Sequence, residues 1–513
     1  MKTSAWKQNQ DLVIICVVLA LTYGALLARF YMLSRNTLHN NGDWISTKTT
    51  LEMGVPGKRA FIHRRQALAR GNLNLGAWWG FQEVIYHEPI PATKLTFNFR
   101  PASNAYLVVT FNRTADGFSG FRLSSDPRFP CMRFRASSAG AFMTKTPMTP
   151  ALLAPAQWHH AEIAWSRSGT ELALNGENVV AWKERNTGLQ SIGFRSGRND
   201  VFVDDVRVEG PEGLVLKESF RRHAGAPGLT AIGMGLALMI NGCVLAILFA
   251  RDRDGARTKI LRLVMLNVML TIAAGGAVRF APYIVQFYPK LTFQMQASES
   301  RYKSWSADGV RQRIRNEMDT ERRPGVARIL LIGTSQTWGA GAAEADHVFA
   351  KRLAARLRAD HGIVAECVNG GVPAVDSIML LKIFKEEWIK LKPDLVVINL
   401  ASNDQQTDTL RANLDELIRS ARSIAARVLL IAEPNSIEHD TDYLLKKHEV
   451  VKSVASEHSV ALLDMHSRLA ERYDDGFLWW DFVHLSSFGH TLFTEYLIDA
   501  MSEHDLLDGM RRD

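Results

Sequence analysis

The chain has 513 residues, of which 47% are hydrophobic, and a formal net charge of +8 at pH 7. This length exceeds that of one ordinary domain, so two or three cores are expected. A mean hydropathy near zero excludes a wholly disordered chain and a chain that is membrane-embedded throughout. Lys and Arg are scattered rather than gathered in one patch, so nucleic acid is not predicted as a partner.

Three long apolar segments predict transmembrane helices. The first, 11–33, is long enough to cross a bilayer core of about 30 Å. We interpret it as an uncleaved anchor rather than a signal peptide, because no small-residue cleavage site follows it. Two further segments lie at about 229–250 and 263–288. The loop between them, 251–262, is short and strongly basic, and such loops face the cytoplasm.

The basic loop sets the predicted orientation of the chain. With this loop and the N-terminus inside, the regions 34–223 and 289–513 both lie on the extracytoplasmic side. We therefore predict a multi-pass protein of the bacterial inner (cytoplasmic) membrane, with anchors at 1–33 and 228–288. Both remaining domains would then lie in the periplasm.

Between the first two apolar segments the pattern changes to that of β-strands. Residues 94–100 (KLTFNFR) alternate polar and apolar side chains. Short strands separated by Gly, Asn and Asp turns are typical of a sandwich or barrel. Further runs with strand character are 106–111, 132–135, 160–165 and 201–208.

One stretch of this region is more specific. WHHAEIAWSRSGTELALNGENV, at 158–179, resembles the core hairpin of laminin-G and concanavalin-A-like jelly rolls, and 192–208 resembles their last strands. The resemblance implies an all-β jelly-roll sandwich over 34–223, in a group whose members often bind glycans. Trp78 and Trp79 are candidates for a carbohydrate surface. The alternative is that both tryptophans are core residues of a spacer or docking module.

A polar, charge-rich stretch, 289–324, is predicted to be a linker. After it, apolar runs with strand character alternate with helical patterns, which predicts a parallel sheet covered on both faces. Functional groups in such sheets lie at the carboxyl ends of the strands. The predicted buried strands are 327–332, 394–400, 428–432 and 460–463.

Four short motifs follow one another in this α/β region. They are GTSQTWG at 333–339, VNGGVPAVDS at 368–377, ASND at 401–404 and WWDFVHLSSFGH at 479–490. In this order they resemble the four blocks of SGNH (GDSL-like) hydrolases. The resemblance implies an α/β flavodoxin-like three-layer domain over 325–513 and acyl-serine chemistry.

The resemblance also implies roles for single residues. Ser335 matches the family's nucleophile, and Asp481 and His484 match its DxxH pair. A serine hydroxyl is a weak nucleophile until a base takes its proton, and an imidazole is such a base near neutral pH. A carboxylate beside the imidazole orients the ring and stabilises its cationic form. Ser335, Asp481 and His484 are therefore the predicted catalytic triad.

The predicted oxyanion hole consists of Ser335, Ala374 and Asn403. The Asn403 amide can donate to developing negative charge. Thr334, Ala374 and Ala401 stand where the family usually has aspartate, glycine and glycine. The backbone donor at position 374 survives in alanine only if the local backbone conformation is open to alanine.

These observations predict a membrane-anchored extracytoplasmic serine esterase that removes acyl groups, with acetyl favoured, from a polysaccharide or other glycan or from an acylated small molecule. The first alternative is an O-acetyltransferase with the same triad, which would need a separate membrane acyl-donor partner. The second is a non-catalytic glycan-binding scaffold, which the departures from the family pattern motivate. The cysteine and histidine spacing matches no metal site, and neither metal nor cofactor is predicted.

Overall fold

The computed structural model describes residues 44–47, 73–74, 83–86, 89–183, 188–197, 199–218, 307–318, 323–342, 345–438, 442–481, 483–508 and 510. Within these ranges an N-terminal β-domain of two antiparallel sheets precedes a C-terminal α/β domain with one parallel sheet.

Fourteen described strands form the β-domain. They are β1 (Trp44–Thr47), β2 (Leu73–Asn74), β3 (Glu83–Tyr86), β4 (Lys94–Pro101), β5 (Tyr106–Thr114), β6 (Gly117–Ser124), β7 (Met132–Ser137), β8 (Phe142–Pro147), β9 (His159–Ser166), β10 (Gly169–Leu174), β11 (Glu177–Trp182), β12 (Gly193–Ser196), β13 (Val201–Gly210) and β14 (Gly213–Glu218). One sheet has the strand order β1-β3-β12-β5-β6-β7-β8. The other has the order β11-β10-β9-β4-β13-β14, and β2 also pairs with β13.

The two antiparallel sheets enclose a common apolar core. Alternate residues of β4 are buried, because successive side chains of a strand point to opposite faces. Phe97 of β4 packs against Phe194 of the other sheet with 5.1 Å between the ring centroids. Strands lie at all five runs in which the sequence predicts them. The finer resemblance to jelly rolls stays a prediction, and Trp78 and Trp79 lie outside the described residues.

The C-terminal domain is built on five parallel strands. They are β15 (Ala327–Gly333), β16 (Ala365–Gly371), β17 (Leu395–Asn399), β18 (Arg427–Ile431) and β19 (Ala461–Leu463). Their order in the sheet is β16-β15-β17-β18-β19, with every neighbouring pair parallel. Written by position in the chain this order is 2-1-3-4-5, which is that of the flavodoxin-like fold.

Eight helices are described, and all belong to this part of the chain. Right-handed crossovers that run in opposite directions along the sheet place helices on both of its faces. The helices are α1 (Ala307–Glu317), α2 (Ser335–Trp338), α3 (Phe349–His361), α4 (Ser377–Glu386), α5 (Thr407–Ser423), α6 (Asp442–Glu457), α7 (Met465–Glu471) and α8 (Ser487–Glu503), with short 3₁₀ turns at Ala345–His347 and Trp388–Leu391.

Helix α1 lies within the segment predicted to be a linker. Its side chains Val310 and Ile314 are buried in the core that it shares with the α/β domain. Next to these two side chains on the helix, Arg311 and Arg315 both donate to the Glu387 carboxylate. These guanidinium groups hold the pKa of Glu387 below its usual value, against the effect of burial.

The prediction of three transmembrane helices requires a correction. No helix in the described part of the chain is both long and apolar enough to cross a membrane. The longest, α5 and α8, have 17 residues each and span roughly 25 Å, against about 30 Å for a bilayer core. The segments 11–33, 229–250 and 263–288 themselves lie outside the described residues. The membrane-anchored fold class and the multi-pass inner-membrane localisation therefore do not stand.

Candidate active site

The residues predicted for the site lie at the carboxyl ends of the strands of the parallel sheet. Ser335 begins helix α2 two residues after strand β15 ends. Ala374 follows β16, and Asn403 follows β17. These three strands are neighbours in the sheet, and strand order reverses direction between them. Such a switch point leaves a crevice outside the carboxyl ends of the strands.

Ser335, His484 and Asp481 form a chain of hydrogen bonds. The Oγ atom of Ser335 lies 2.8 Å from Nε2 of His484. Nδ1 of the same ring lies 3.0 Å from each carboxylate oxygen of Asp481. Asp481 is 1% exposed, and its Oδ1 also accepts the backbone N–H groups of Val483 at 3.0 Å and His484 at 2.8 Å. These donors stabilise the buried carboxylate in its charged form.

The turn that carries Ser335 is packed tightly between two strands. A Cβ atom at Gly371 would lie 2.0 Å from the Trp338 nitrogen, and one at Gly333 would lie 2.0 Å from the Thr337 Oγ1 atom, both in helix α2. Only glycine allows helix α2 to lie this close to the sheet. These close contacts fix the position of helix α2, whose first residue is Ser335.

The three groups predicted for the oxyanion hole follow three neighbouring strands of the sheet. The backbone N–H of Ser335 belongs to the first residue of α2, where the helix itself supplies no acceptor. Ala374 has a φ of +60°, in the left-handed region in which glycine is the usual residue. Asn403 donates through Nδ2 to the carbonyl of Val375 at 2.8 Å, which ties its loop to that of Ala374.

A comparison with known families agrees with this geometry. Residues 331–492 match the GDSL-like Lipase/Acylhydrolase family. The C-terminal domain is an SGNH-type esterase domain. The match begins within β15 and ends within α8, so it includes every residue of the predicted site.

Two solved structures are similar to part of this chain. A lipase/acylhydrolase from Enterococcus faecalis is 24% identical, with a TM-score of 0.31, over 34% of this chain and 96% of its own. An acetylxylan esterase from Geobacillus stearothermophilus is 21% identical, with a TM-score of 0.31, over 34% of this chain and 94% of its own. No curated protein matches the chain.

The loops around the esterase site are joined by a buried carboxylate, Asp404. It accepts the backbone N–H and the hydroxyl of Ser377, the residue that begins helix α4. Burial raises the pKa of Asp404, and the bonds from Ser377 oppose that shift. Ser377 and Asp404 thus connect the loop after β16 with the loop after β17.

Glu433 is a site residue that the motifs did not identify. It is fully buried and accepts the Thr334 hydroxyl at 3.1 Å and the backbone N–H groups of Ala401 and Ser402 at 2.9 and 2.7 Å. Burial raises the pKa of this carboxyl. The sequence held one signal, because Glu433 is a charged residue immediately after the apolar run 428–432 at the end of a parallel strand.

Gln336 was also missed, although it follows the nucleophile directly. Its Nε2 donates to the carbonyls of Pro434 and Val483, both at 2.7 Å. The nucleophile turn is thereby fixed to the loop that carries His484. Such a contact joins residues about 147 positions apart, and no local pattern reveals it.

The layer beneath these loops contains buried basic side chains. Lys447 donates to the Ser402 carbonyl at 3.0 Å, and Nε2 of His448 lies 2.8 Å from the Glu433 carbonyl oxygen. Burial lowers the pKa of His448 to about 4, so the ring is neutral at pH 7 and Nε2–H is the donor. Within the described residues, no group of three or more His, Cys, Asp or Glu side chains is arranged to hold a metal ion.

Proposed function

We propose that the chain is a carboxylic ester hydrolase that works through an acyl-enzyme on Ser335. His484 acts as the general base and acid, and Asp481 orients its ring. The oxyanion hole consists of the N–H groups of Ser335 and Ala374 and the amide of Asn403. The observation that carries this proposal is the continuous hydrogen-bonded chain from the Ser335 hydroxyl to the buried Asp481 carboxylate.

In the first half-reaction the Ser335 Oγ attacks the ester carbonyl carbon while Nε2 of His484 takes the hydroxyl proton. The carbonyl oxygen becomes negative and accepts from the oxyanion donors, each of which contributes roughly 3 kcal/mol in comparable sites. The bond to the alcohol then breaks, and His484 returns its proton to the leaving oxygen. The acyl group remains esterified to Ser335.

In the second half-reaction water takes the place of the alcohol. His484 removes a proton from the water as it attacks the acyl carbonyl, and the same oxyanion donors stabilise the second intermediate. Collapse of this intermediate returns the proton to Ser335 and releases the carboxylic acid. The Asp481 carboxylate stays ionised throughout and stabilises the imidazolium in each half.

A substrate-independent test of this proposal is phosphonylation by a serine-directed fluorophosphonate. We expect one adduct on the full-length chain, located at Ser335 by peptide mapping, and none on Ser335→Ala. Ser467→Ala is the matched control, since this exposed serine lies on helix α7 and should leave the adduct in place. A folded wild-type chain that gains no adduct would contradict the proposal.

For the natural substrate we propose a short acyl ester, such as an acetyl ester, on a glycan. What supports this is the β-domain beside the site, which would meet an extended polymer at the esterase crevice. The test compares p-nitrophenyl esters of increasing acyl length with acetylated xylan. Faster hydrolysis of long-chain esters, with no acetate released from the glycan, would count against this substrate class.

The same chemistry allows an O-acetyltransferase, in which a sugar hydroxyl replaces water in the second half-reaction. The two activities separate when an acyl donor is supplied with and without an unacetylated glycan. Free acetate at equal rates in both cases indicates a hydrolase. An acetylated glycan formed at the expense of free acetate indicates a transferase.

A further inference from the structure

Strand β6 of the β-domain is buried along its whole length. One side faces the core between the two sheets, and the other contacts the esterase domain. Phe118 of β6 stacks on Phe477 with 5.8 Å between the ring centroids. Phe134 and Phe142 contact the same ring edge-on at 5.6 and 5.0 Å. The outer face of this sheet therefore packs into the apolar core of the esterase domain, which is separate from the core between the two sheets.

The main chains of the two domains are also hydrogen-bonded to each other. The Phe142 N–H donates to the Asp475 carbonyl at 2.8 Å, and the Phe477 N–H donates to the Gly140 carbonyl at 2.9 Å. Together these bonds form an antiparallel bridge at the edge of the first sheet. A short stretch of the esterase domain, residues 474–479, is thus attached to the β-domain in the manner of an added strand.

Two buried arginines of the β-domain reach the same stretch. Arg122, 4% exposed, donates to the Asp474 carboxylate at 2.6 Å. Arg195, 2% exposed, donates through Nη2 to the Trp479 carbonyl at 3.2 Å and lies 4.5 Å above the Phe477 ring. Arg122 of β6 and Arg195 of β12 thus connect the first sheet to this stretch of the esterase domain.

The stretch held in this way is the stem of the loop that bears the acid and the base. The Trp480 N–H donates to the His484 carbonyl at 2.8 Å, and the Ser486 N–H donates to the Leu478 carbonyl at 2.9 Å. These bonds join the two sides of a short hairpin with Asp481 at its turn. A shift of the stem therefore moves the carboxylate that holds the imidazole.

We propose that the β-domain is a structural component of the active site, with Arg195 as a positioning residue for Asp481 and His484. The inference rests on the proposed function, because it concerns the reaction of Ser335. Arg195 touches no reacting atom and acts through the Trp479 carbonyl, two residues before Asp481. The β-domain thereby has a role in catalysis in addition to any role in binding.

The test uses the full-length chain and measures kcat and KM for p-nitrophenyl acetate together with the rate of fluorophosphonate labelling. Arg195→Met keeps the apolar stem but removes the donors. We expect kcat and the labelling rate to fall by about 10- to 100-fold with KM within about twofold, because small displacements of catalytic groups act on the chemical step. Arg195→Lys retains a cationic donor and should recover part of the loss.

Arg100→Met is the matched control. Arg100 lies on the other sheet, where its guanidinium is 4.7 Å above the Phe202 ring within the β-domain. It should leave kcat within about twofold of wild type, because its ring contact lies within the β-domain. The same variant controls for a general loss of stability caused by removing a stacked arginine. Circular dichroism and thermal melting establish that each variant is folded.

If Arg195→Met does not fold, Asp474→Asn supplies the same test at a more exposed position of the stem. We expect it to lower kcat about 3- to 10-fold with an unchanged KM. Folded Arg195 or Asp474 variants with wild-type kcat would overturn the inference and leave the proposed function intact. An unlabelled and inactive wild-type chain would overturn both.

Discussion

The hydroxyl of Thr334 donates a hydrogen bond of 3.1 Å to the carboxylate of Glu433, directly beside the nucleophile. The SGNH motif that this stretch resembles has aspartate at the position of Thr334. In this chain an aspartate there would place a second carboxylate against a buried one, and neither could readily stay ionised. The threonine at this position is therefore compatible with the buried Glu433 carboxylate.

The Thr334 hydroxyl is predicted to stabilise the site through this bond. Thr334→Val keeps the shape of the side chain and removes the donor, so we expect the free energy of unfolding to fall by about 1–3 kcal/mol. Thr334→Ser keeps the hydroxyl and should stay close to wild type. Urea denaturation of the three proteins is the measurement, and equal stability of the Val and Ser variants would contradict the prediction.

The pairing of these residues makes a second, stricter test possible. Thr334→Asp should destabilise the wild-type chain strongly, but much less so in a Glu433→Gln background, where the second negative charge is gone. A double-mutant cycle measures this coupling, which we expect to be at least about 1 kcal/mol. Additive effects of the two substitutions would show that the residues do not interact as the structure indicates.

Ala374 adopts a backbone conformation that costs an alanine about 1 kcal/mol relative to glycine. Ala374→Gly should therefore leave activity intact and raise the free energy of unfolding by up to about 1 kcal/mol. The greater conformational entropy of glycine in the unfolded chain offsets part of that gain. Ala374→Val should lower kcat, because a β-branched residue resists positive φ and would turn the N–H donor away. The side chain is exposed, so a loss of packing does not explain that result.

Asn403 is expected to act mainly in the transition state. Asn403→Ala removes the amide donor, and we predict a fall in kcat of about 100-fold or more with little change in KM. Part of the loss reflects the bond to Val375, so thermal stability should be measured alongside. Gln405→Ala, which alters an exposed amide two residues away, is the control and should retain wild-type kcat.

Asp481 is predicted to matter through the orientation of the His484 ring. Asp481→Asn preserves the shape but presents an amide to Nδ1, which favours the wrong tautomer, and kcat should fall by about 10³-fold or more. Asp499→Asn on helix α8 is the control for a lost surface charge. Steady-state hydrolysis of p-nitrophenyl acetate reports the difference, and a decrease below tenfold would argue against the assigned role.

His448 should make the stability of the protein depend on pH. Burial lowers the pKa of this ring from 6.5 in the unfolded chain to about 4 in the folded one. Between these values the unfolded chain binds a proton that the folded chain does not, so its contribution to stability is present above pH 6.5 and is lost as pH falls towards 4. The loss amounts to roughly 3 kcal/mol at most.

His448→Gln is the variant that checks this dependence, because its amide can still donate to the Glu433 carbonyl. Subtracting its unfolding free energy from that of wild type at each pH isolates the imidazole. The buried Glu433 carboxyl, whose pKa is raised, contributes to both proteins and cancels in the difference. A difference that does not change between pH 7 and pH 4 would contradict the prediction.

The sequence predicts the candidate site through signals that are local. Two of the four motifs, 333–339 and 401–404, directly follow predicted strand runs, so the strand and the residue at its carboxyl end can be identified together for Ser335 and Asn403. Asp481 and His484 lie three positions apart on one loop. The 2-1-3-4-5 strand order brings the ends of β16, β15 and β17 side by side, although β16 was not among the predicted strands.

Tertiary structure alone decided the contacts that hold this site in place. The Arg195 guanidinium meets a carbonyl 284 positions further along the chain, and Tyr106 donates to the Glu438 carboxylate across 332 positions. No periodicity or spacing encodes such pairs, because they depend on which faces of two domains become buried together. The positive φ of Ala374 is also a result of tertiary structure, because the packing of its loop against its neighbours overrides the intrinsic preference of an alanine.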